Sequence, residues 1–289
     1  LGGNFHSATP DTDYVSQSLQ RCELTVQVST KLNRSHLVTG ETALILPCLA
    51  RTDIDLQNAE EQIVSVENSM GVIHQSRGIL EPISDQLKSE VEIVASMAMA
   101  TLDIDWDYLI ADYDNIRDHI ERVIPGFDDF NQRLNDPAGF YLPNVAREGT
   151  FKEGKATFST VSLPQNDRKP GEFLMMTIRS HDQFNTTIYG KDDRYRGIID
   201  ERRVVLMNQE DMNELGLQPK QVVNLSSCYQ EVTREIRNFK VIPYSIPKGN
   251  VATYFPEANP LVPVDLVASK SNTPCSKSVV VKIIAADSN

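Results

Sequence analysis

Apolar positions along the chain follow one rhythm after another. Near the start the runs are short and rich in β-branched residues: "CELTVQVS" (22–29) and "TALILPC" (42–48) read as strands. The polar "TKLNRSHLVTGE" between them has room for a short helix. Strand, short helix, strand predicts a parallel βαβ unit, a fold that gathers ligands beyond the carboxyl ends of its strands. "EQIVSVENSMGVIHQS" (61–76) carries two more apolar stretches and predicts a ribbon. The spacing then changes to threes and fours. Over 84–102, Leu87, Val91, Val94, Met97, Ala98 and Thr101 share one helical face. Over 106–124 the stripe is Trp106, Leu109, Ile110, Tyr113, Ile116, Ile120 and Val123, and Pro125-Gly126 stops that helix. Both stripes read as core faces.

From about 126 to 171 the chain is rich in Pro, Asn and Gly, which suits a crossing segment or linker. Beyond it "EFLMMTIR", "RRVVLMN", "QVVNLSS", "FKVIPYSI", "VATYF" and "SVVVKII" are strand candidates, with one short helix at "QEDMNELG". Six strands in about 115 residues without a long helix predict a small β-barrel. The expected fold class is therefore α/β followed by all-β.

Composition narrows the function. At 289 residues, 40% hydrophobic and 24% charged, the chain is long enough for two globular domains. Its 28 basic and 40 acidic residues leave a net charge of −12. That argues against nucleic acid as the main partner, because phosphate contacts need clustered Lys and Arg; a local pocket for one small anion is compatible. Cys22, Cys48, Cys228 and Cys275 are scattered, with no CxxC or Cys/His ligand spacing. They read as reduced thiols in a reducing, cytoplasmic compartment. His6, His36, His74, His119 and His181 show no HxxxH spacing, so a metal site built from histidines is not expected. No apolar run is long enough to span a membrane. "LGGN" reads as a strand end running into a Gly-rich turn, and the chain as the C-terminal piece of something longer.

Three clusters carry candidate chemistry. In "LMMTIRSHDQFNTTIYG" (174–190) a strand is followed by Arg179, Ser180, His181, Gln183, Asn185, Thr186 and Thr187, a guanidinium fork and a set of donors that suit a phosphate and a heterocycle edge. A turn whose polar side chains satisfy their own backbone is the competing reading. In "YFPEANPLVP" and "SNTPCSKSVVVKI", Asn259 sits between prolines and Lys277 precedes the last strand; they place an amide and a cation against a ligand, or they brace a surface loop. In "LGGNFHSATPD" and "STKLNRSHL", Gly2 and Gly3 permit close backbone approach, while Lys31, Asn33, Arg34 and His36 follow a strand end. No nucleophile elbow, P-loop or complete GxGxxG is present.

Together these segments resemble the C-terminal portion of a molybdopterin oxidoreductase alpha subunit, of the formate dehydrogenase-like branch of the dimethyl sulfoxide reductase superfamily. "VSTKLNRSHLVTGETALILPCLARTDID", "VENSMGVIHQSRG" and "TIRSHDQFNTTIYGKDDRYRG" carry the resemblance, which runs over the whole chain in order. It implies that residues 1–150 are the last part of a Rossmann-like α/β domain holding molybdopterin guanine dinucleotide, with a linker to about 170. Residues 171–289 would then form a six-stranded double-psi β-barrel that closes over the cofactor pair. It implies cofactor contacts at Gly3 and Asn4 in the Gly-Gly-Asn turn and at Ser29, Thr30 and Lys31 after the strand. Val28-Ser29 stands where many relatives have an acidic residue. Further implied contacts are Arg179, Ser180, His181, Gln183, Asn185 and Thr186 in the barrel loop, with Asn259 and Lys277 in the closing loops. Phe184 and Asn185 stand where many relatives have Trp and His. The molybdenum ligand and a 4Fe-4S cluster would lie upstream, so the fragment alone is expected to be inactive and to need the remainder of its enzyme and an electron-transfer partner. A stand-alone cofactor-binding or assembly module without catalysis is the alternative.

Overall fold

The computed structural model describes residues 1–163, 168–184 and 189–286. The chain opens on α1 (Phe5–Ala8) and α2 (Thr12–Gln20), followed by β1 (Leu24–Ser29), a 3-10 turn at Arg34–Leu37 and β2 (Thr42–Pro47). β1 and β2 form a two-stranded sheet. Backbone bonds from Glu41 to Cys22 and from Thr42 to Glu23 hold the two strand starts side by side, so the pair runs parallel, as the βαβ reading expects. Gly40 allows that approach, since a Cβ there would sit 2.2 Å from the Cys22 carbonyl oxygen.

Next come the two-residue strands β3 (Leu56–Gln57) and β4 (Glu60–Glu61), then the ribbon β5 (Val64–Glu67) and β6 (Val72–Ser76), antiparallel as the alternation predicts. α3 (Glu90–Thr101) begins later than the apolar spacing suggests. Ser89 accepts from the Glu92 amide and caps it, and Glu90 and Glu92 follow in the first turn. Its buried face also differs: Ile93 and Ala95 are buried, while Val94 and Met97 are exposed.

The helix read over 106–124 is two, α4 (Asp107–Ala111) and α5 (Asp114–Val123). The break has a physical cause. The Tyr113 amide donates to Gln62 Oε1 at 2.9 Å, and its buried phenol joins Ser89 Oγ and Asp55 Oδ2, each at 2.6 Å. Burial above all, and then Asp55, push that phenol well above the usual tyrosine range. α6 (Phe130–Leu134), β7 (Phe140–Tyr141) and α7 (Val145–Glu148) complete this stretch, with Ile73, Phe130 and Leu134 as a small core.

β8 (Glu172–Ile178), β9 (Val204–Met207), α8 (Gln209–Glu214), β10 (Val222–Tyr229), β11 (Val232–Pro243), β12 (Asn250–Tyr254) and β13 (Val279–Ala285) follow. All six strands close into one barrel in the order β10-β11-β9-β12-β8-β13. β11 pairs with β9 and β12 with β8 in parallel; the remaining pairs are antiparallel. Alternation fills the barrel: Phe173, Met175, Val205, Met207, Val223, Leu225, Phe239, Val251, Val279 and Val281 belong to one continuous core. β9 is buried on both faces, since Val204 and Leu206 pack instead with Ile198, Ala252 and Tyr254.

The chain divides into two compact units. One comprises residues 1–2, 27–31 and 45–163; the other comprises 3–26, 32–44 and the barrel portion from 164 onward. No helix among the described residues is long and apolar enough to cross a membrane.

Candidate functional site

Parallel pairing makes the site. β8 and β12 run side by side with Ile178 opposite Tyr254, so their carboxyl ends coincide. The loops that follow, from Arg179 and from Phe255, are therefore neighbours although far apart in sequence. Between them sits a side chain that sequence reasoning did not single out, Arg202.

Arg202 is 8% exposed and ties three segments together. Its Nη1 donates to Ser180 Oγ at 2.7 Å, and Nη2 donates to Gln183 Oε1 at 3.1 Å and to the Phe255 carbonyl at 3.0 Å. Nε and Nη2 grip the two oxygens of Glu257, both at 3.1 Å, in the bidentate geometry of strong guanidinium–carboxylate pairs. The rings of Tyr189 and Tyr254 lie 3.9 and 4.4 Å from the guanidinium carbon. Tyr189 also donates to Glu257 Oε1 at 3.1 Å. Burial first, then the Glu257 charge, push its phenol up to about 12.

A second clamp backs the first. Asp193 accepts from Arg196 at 2.5 Å and from the Tyr254 hydroxyl at 2.8 Å, and Arg196 also donates to the Arg179 carbonyl at 3.3 Å. Burial pulls the Asp193 carboxyl upward, but the bonds from Arg196 and Tyr254 outweigh it and hold it below the usual range. Burial and Asp193 together raise the Tyr254 phenol above the usual range.

The residues nominated from sequence divide into groups. Ser180 and Gln183 are buried and turned toward Arg202, with the Ser180 amide also donating to Gln183 Oε1 at 3.1 Å. Arg179 and His181 are exposed. His181 stacks on Tyr195 with centroids 3.7 Å apart, and its Nε2 stands 3.9 Å from Asp182, too far for a hydrogen bond. Lys277 donates to the Thr177 carbonyl. Burial above all, and then the nearby Arg179 charge, lower its pKa from the usual lysine value. Asn259 is 1% exposed and donates to the Ser7 carbonyl at 2.9 Å. Asn185 and Thr186 lie outside the described residues.

Gly3 and Asn4 belong to the barrel-containing unit. The Gly3 carbonyl accepts from Asn33 at 3.2 Å, and Asn4 caps α1 and accepts from Ser35 Oγ at 3.1 Å. The segment is pinned to the barrel wall by Asp11, whose Oδ2 receives Arg234 at 2.6 and 2.8 Å, and by the Asp11 amide on the Asn259 carbonyl. Ser29, Thr30 and Lys31 lie in the other unit, where Ser29 Oγ donates to the Lys31 carbonyl at 2.6 Å.

Asn4, Arg34, Tyr189, Arg203 and Glu257 help line a cleft of about 550 Å³ in the barrel-containing unit. Among the described residues, neither Arg34 nor Arg203 has a carboxylate within ion-pair distance. The Arg34 and Arg203 guanidinium groups and the Asn4 amide offer donors to an anion here, set among the carboxylates of Asp13, Glu235 and Glu257. Nearby, His6 is fully buried and bonded to Ser16 at 2.5 Å. Burial, followed by the Arg34 charge, lowers its pKa. No group of three His, Cys, Asp or Glu side chains among the described residues could hold a metal ion.

Comparison with known proteins bears on the barrel. Residues 173–285 match the family model described as "Molydopterin dinucleotide binding domain". The chain is 50% identical to an uncharacterized oxidoreductase of Mycobacterium tuberculosis over 98% of its own length and 38% of that protein. It is 42% identical to Protein YdeP of Escherichia coli over 98% of its length and 39% of that protein. It thus spans under two fifths of these relatives. Among solved structures, acetylene hydratase from Pelobacter acetylenicus matches 96% of this chain and 42% of its own, with a TM-score of 0.50 at 10% identity, a likeness of fold. The match over 173–285 runs across all six strands of the barrel, which is thus similar to a molybdopterin dinucleotide-binding domain.

Proposed function

We propose that the chain is the cofactor-binding C-terminal portion of a molybdenum-dependent oxidoreductase of the formate dehydrogenase-like branch, holding molybdopterin guanine dinucleotide. The observation that carries this reading is the match of the barrel to a molybdopterin dinucleotide-binding domain, supported by Arg34 and Arg203 in the cleft of its unit, neither of which has a carboxylate partner among the described residues. On this reading residues 171–289 are a double-psi barrel and residues 1–150 the end of a Rossmann-like domain. Arg34, Arg203 and Arg179 would meet phosphate charge, while Asn4 supplies a neutral donor to the organic part. His181 would present an exposed ring edge. Ser180, Gln183, Asn259 and Lys277 would act by shaping the loops. Gly3, Ser29, Thr30, Lys31, Asn185 and Thr186 are assigned on the resemblance alone. When bound, the molybdenum cofactor supplies two-electron redox chemistry; this chain's residues bind and orient it. An iron–sulfur cluster in the remainder of the intact, cytoplasmic enzyme completes the proposal.

The test is metal and pterin analysis of the intact protein together with a formate-dependent dye reduction assay. The expected result is molybdenum with a guanine-containing pterin and dye reduction by formate. Absence of both molybdenum and guanine nucleotide would sink the reading. A loaded protein that reduces no dye with any small oxidisable substrate would favour the binding module instead.

A further inference from the structure

We infer that Arg202 is the positioning residue of the cofactor-binding loop, fixing the course of Arg179–Gln183 without touching the ligand itself; this rests on the function proposed above. Three of its nitrogens reach five acceptors on the 180–183 loop, the Phe255 carbonyl and Glu257. Both ring contacts, to Tyr189 and Tyr254, add to its enclosure, and at 8% exposure little of it is left to grip a phosphate. Its effect is orientation.

That orientation is specific. Gln183 Oε1 receives Arg202 and the Ser180 amide, while Gln183 Nε2 donates to the Phe255 carbonyl at 2.8 Å. A guanidinium has no acceptor and a carbonyl no donor, so the Gln183 amide can face only one way. Ser180 is fixed through its hydroxyl and the Arg179 backbone through Arg196. The Arg179 side chain is left exposed directly beside these anchors. A planar fork is needed here, because a lysine ammonium at the same place cannot reach Ser180, Gln183 and both Glu257 oxygens together.

The experiment uses the intact protein in two arms. Arg202→Met with Glu257→Gln removes the pair together, so no carboxylate is left buried without its cation; Arg202→Lys keeps the charge and loses the fork. Cofactor release is followed by pterin fluorescence, barrel integrity by thermal unfolding, and loop order by hydrogen exchange at the Ser180 amide. We expect both variants to unfold within a few degrees of wild type, to lose Ser180 protection, and to release pterin roughly 10- to 100-fold faster, the scale for side chains that orient a ligand-holding group. A purely structural role would move the unfolding temperature and the release rate together. Release at the wild-type rate from either well-folded variant, or faster release only in proportion to lost stability, overturns the assignment. A wild-type protein that carries no pterin overturns the functional reading itself, a result separable from both.

Discussion

Asn259→Ala separates a structural pin from a ligand contact. The side chain is 1% exposed, and its amide donates to the Ser7 carbonyl across 252 positions of sequence. Its backbone carbonyl also receives the Asp11 amide at 2.9 Å, a bond the substitution leaves in place. Alanine therefore removes one buried donor and strands its acceptor, at a cost of about 2 kcal/mol within a usual range of 1–3. With a urea m-value of about 2 kcal/mol/M, the barrel-containing unit should unfold about 1 M earlier. The assay is urea unfolding of cofactor-free protein, read by hydrogen exchange at β11 amides. Trp106, the one tryptophan in the sequence, lies in the other unit and gives an internal control by fluorescence. Asn259→Asp should be worse than alanine, since it turns a carboxylate toward a carbonyl. An unchanged midpoint combined with reduced pterin content would refute this reasoning and make Asn259 a ligand contact.

Four further outcomes are expected. Asp11→Ala leaves Arg234 buried without its partner and should cost about 3–5 kcal/mol in thermal or urea unfolding, whereas replacing both residues by apolar ones should recover most of it. Tyr189 gains stability from its phenol held at about 12, against about 10 when unfolded. That contribution is full below pH 10 and is lost as pH rises from about 10 to about 12, so Tyr189→Phe should flatten alkaline unfolding and remove one late-titrating phenol from an ultraviolet tyrosine titration. Lys277 should titrate below an ordinary lysine, and Arg179→Ala should move it upward in an NMR titration of methylated lysines. The same Arg179→Ala change in the intact protein should lower pterin content without shifting barrel unfolding.

The barrel was legible because its strands either alternate or are apolar throughout: in β8, Phe173, Met175 and Thr177 are buried and Glu172, Leu174 and Met176 are not, while β9 is buried at every position. The helices were less so. α3 follows a capping serine and buries Ile93 and Ala95, and the 106–124 stripe breaks where Tyr113 leaves the helical ladder for Gln62. Local propensity carries no trace of such tertiary bonds. The polar loop after β8 was found, but the direction of its side chains was not. Ser180 and Gln183 look like ligand donors in sequence, and the fold turns both onto Arg202. That pairing follows from the parallel register of β8 and β12, which joins segments some seventy residues apart. No local motif marks Arg202: it is the first of two adjacent arginines before the apolar run Val204–Met207, and nothing in the sequence tells the buried one from its neighbour.

The bonds that pin the opening segment to the barrel also set a timetable for synthesis. Ser7 and Asp11 are made well before their partners Asn259 and Arg234, which follow 252 and 223 positions later. At a ribosomal pace of about 5–20 residues per second, that segment waits roughly 10–50 s for its barrel partners, held meanwhile by its bonds to Asn33 and Ser35.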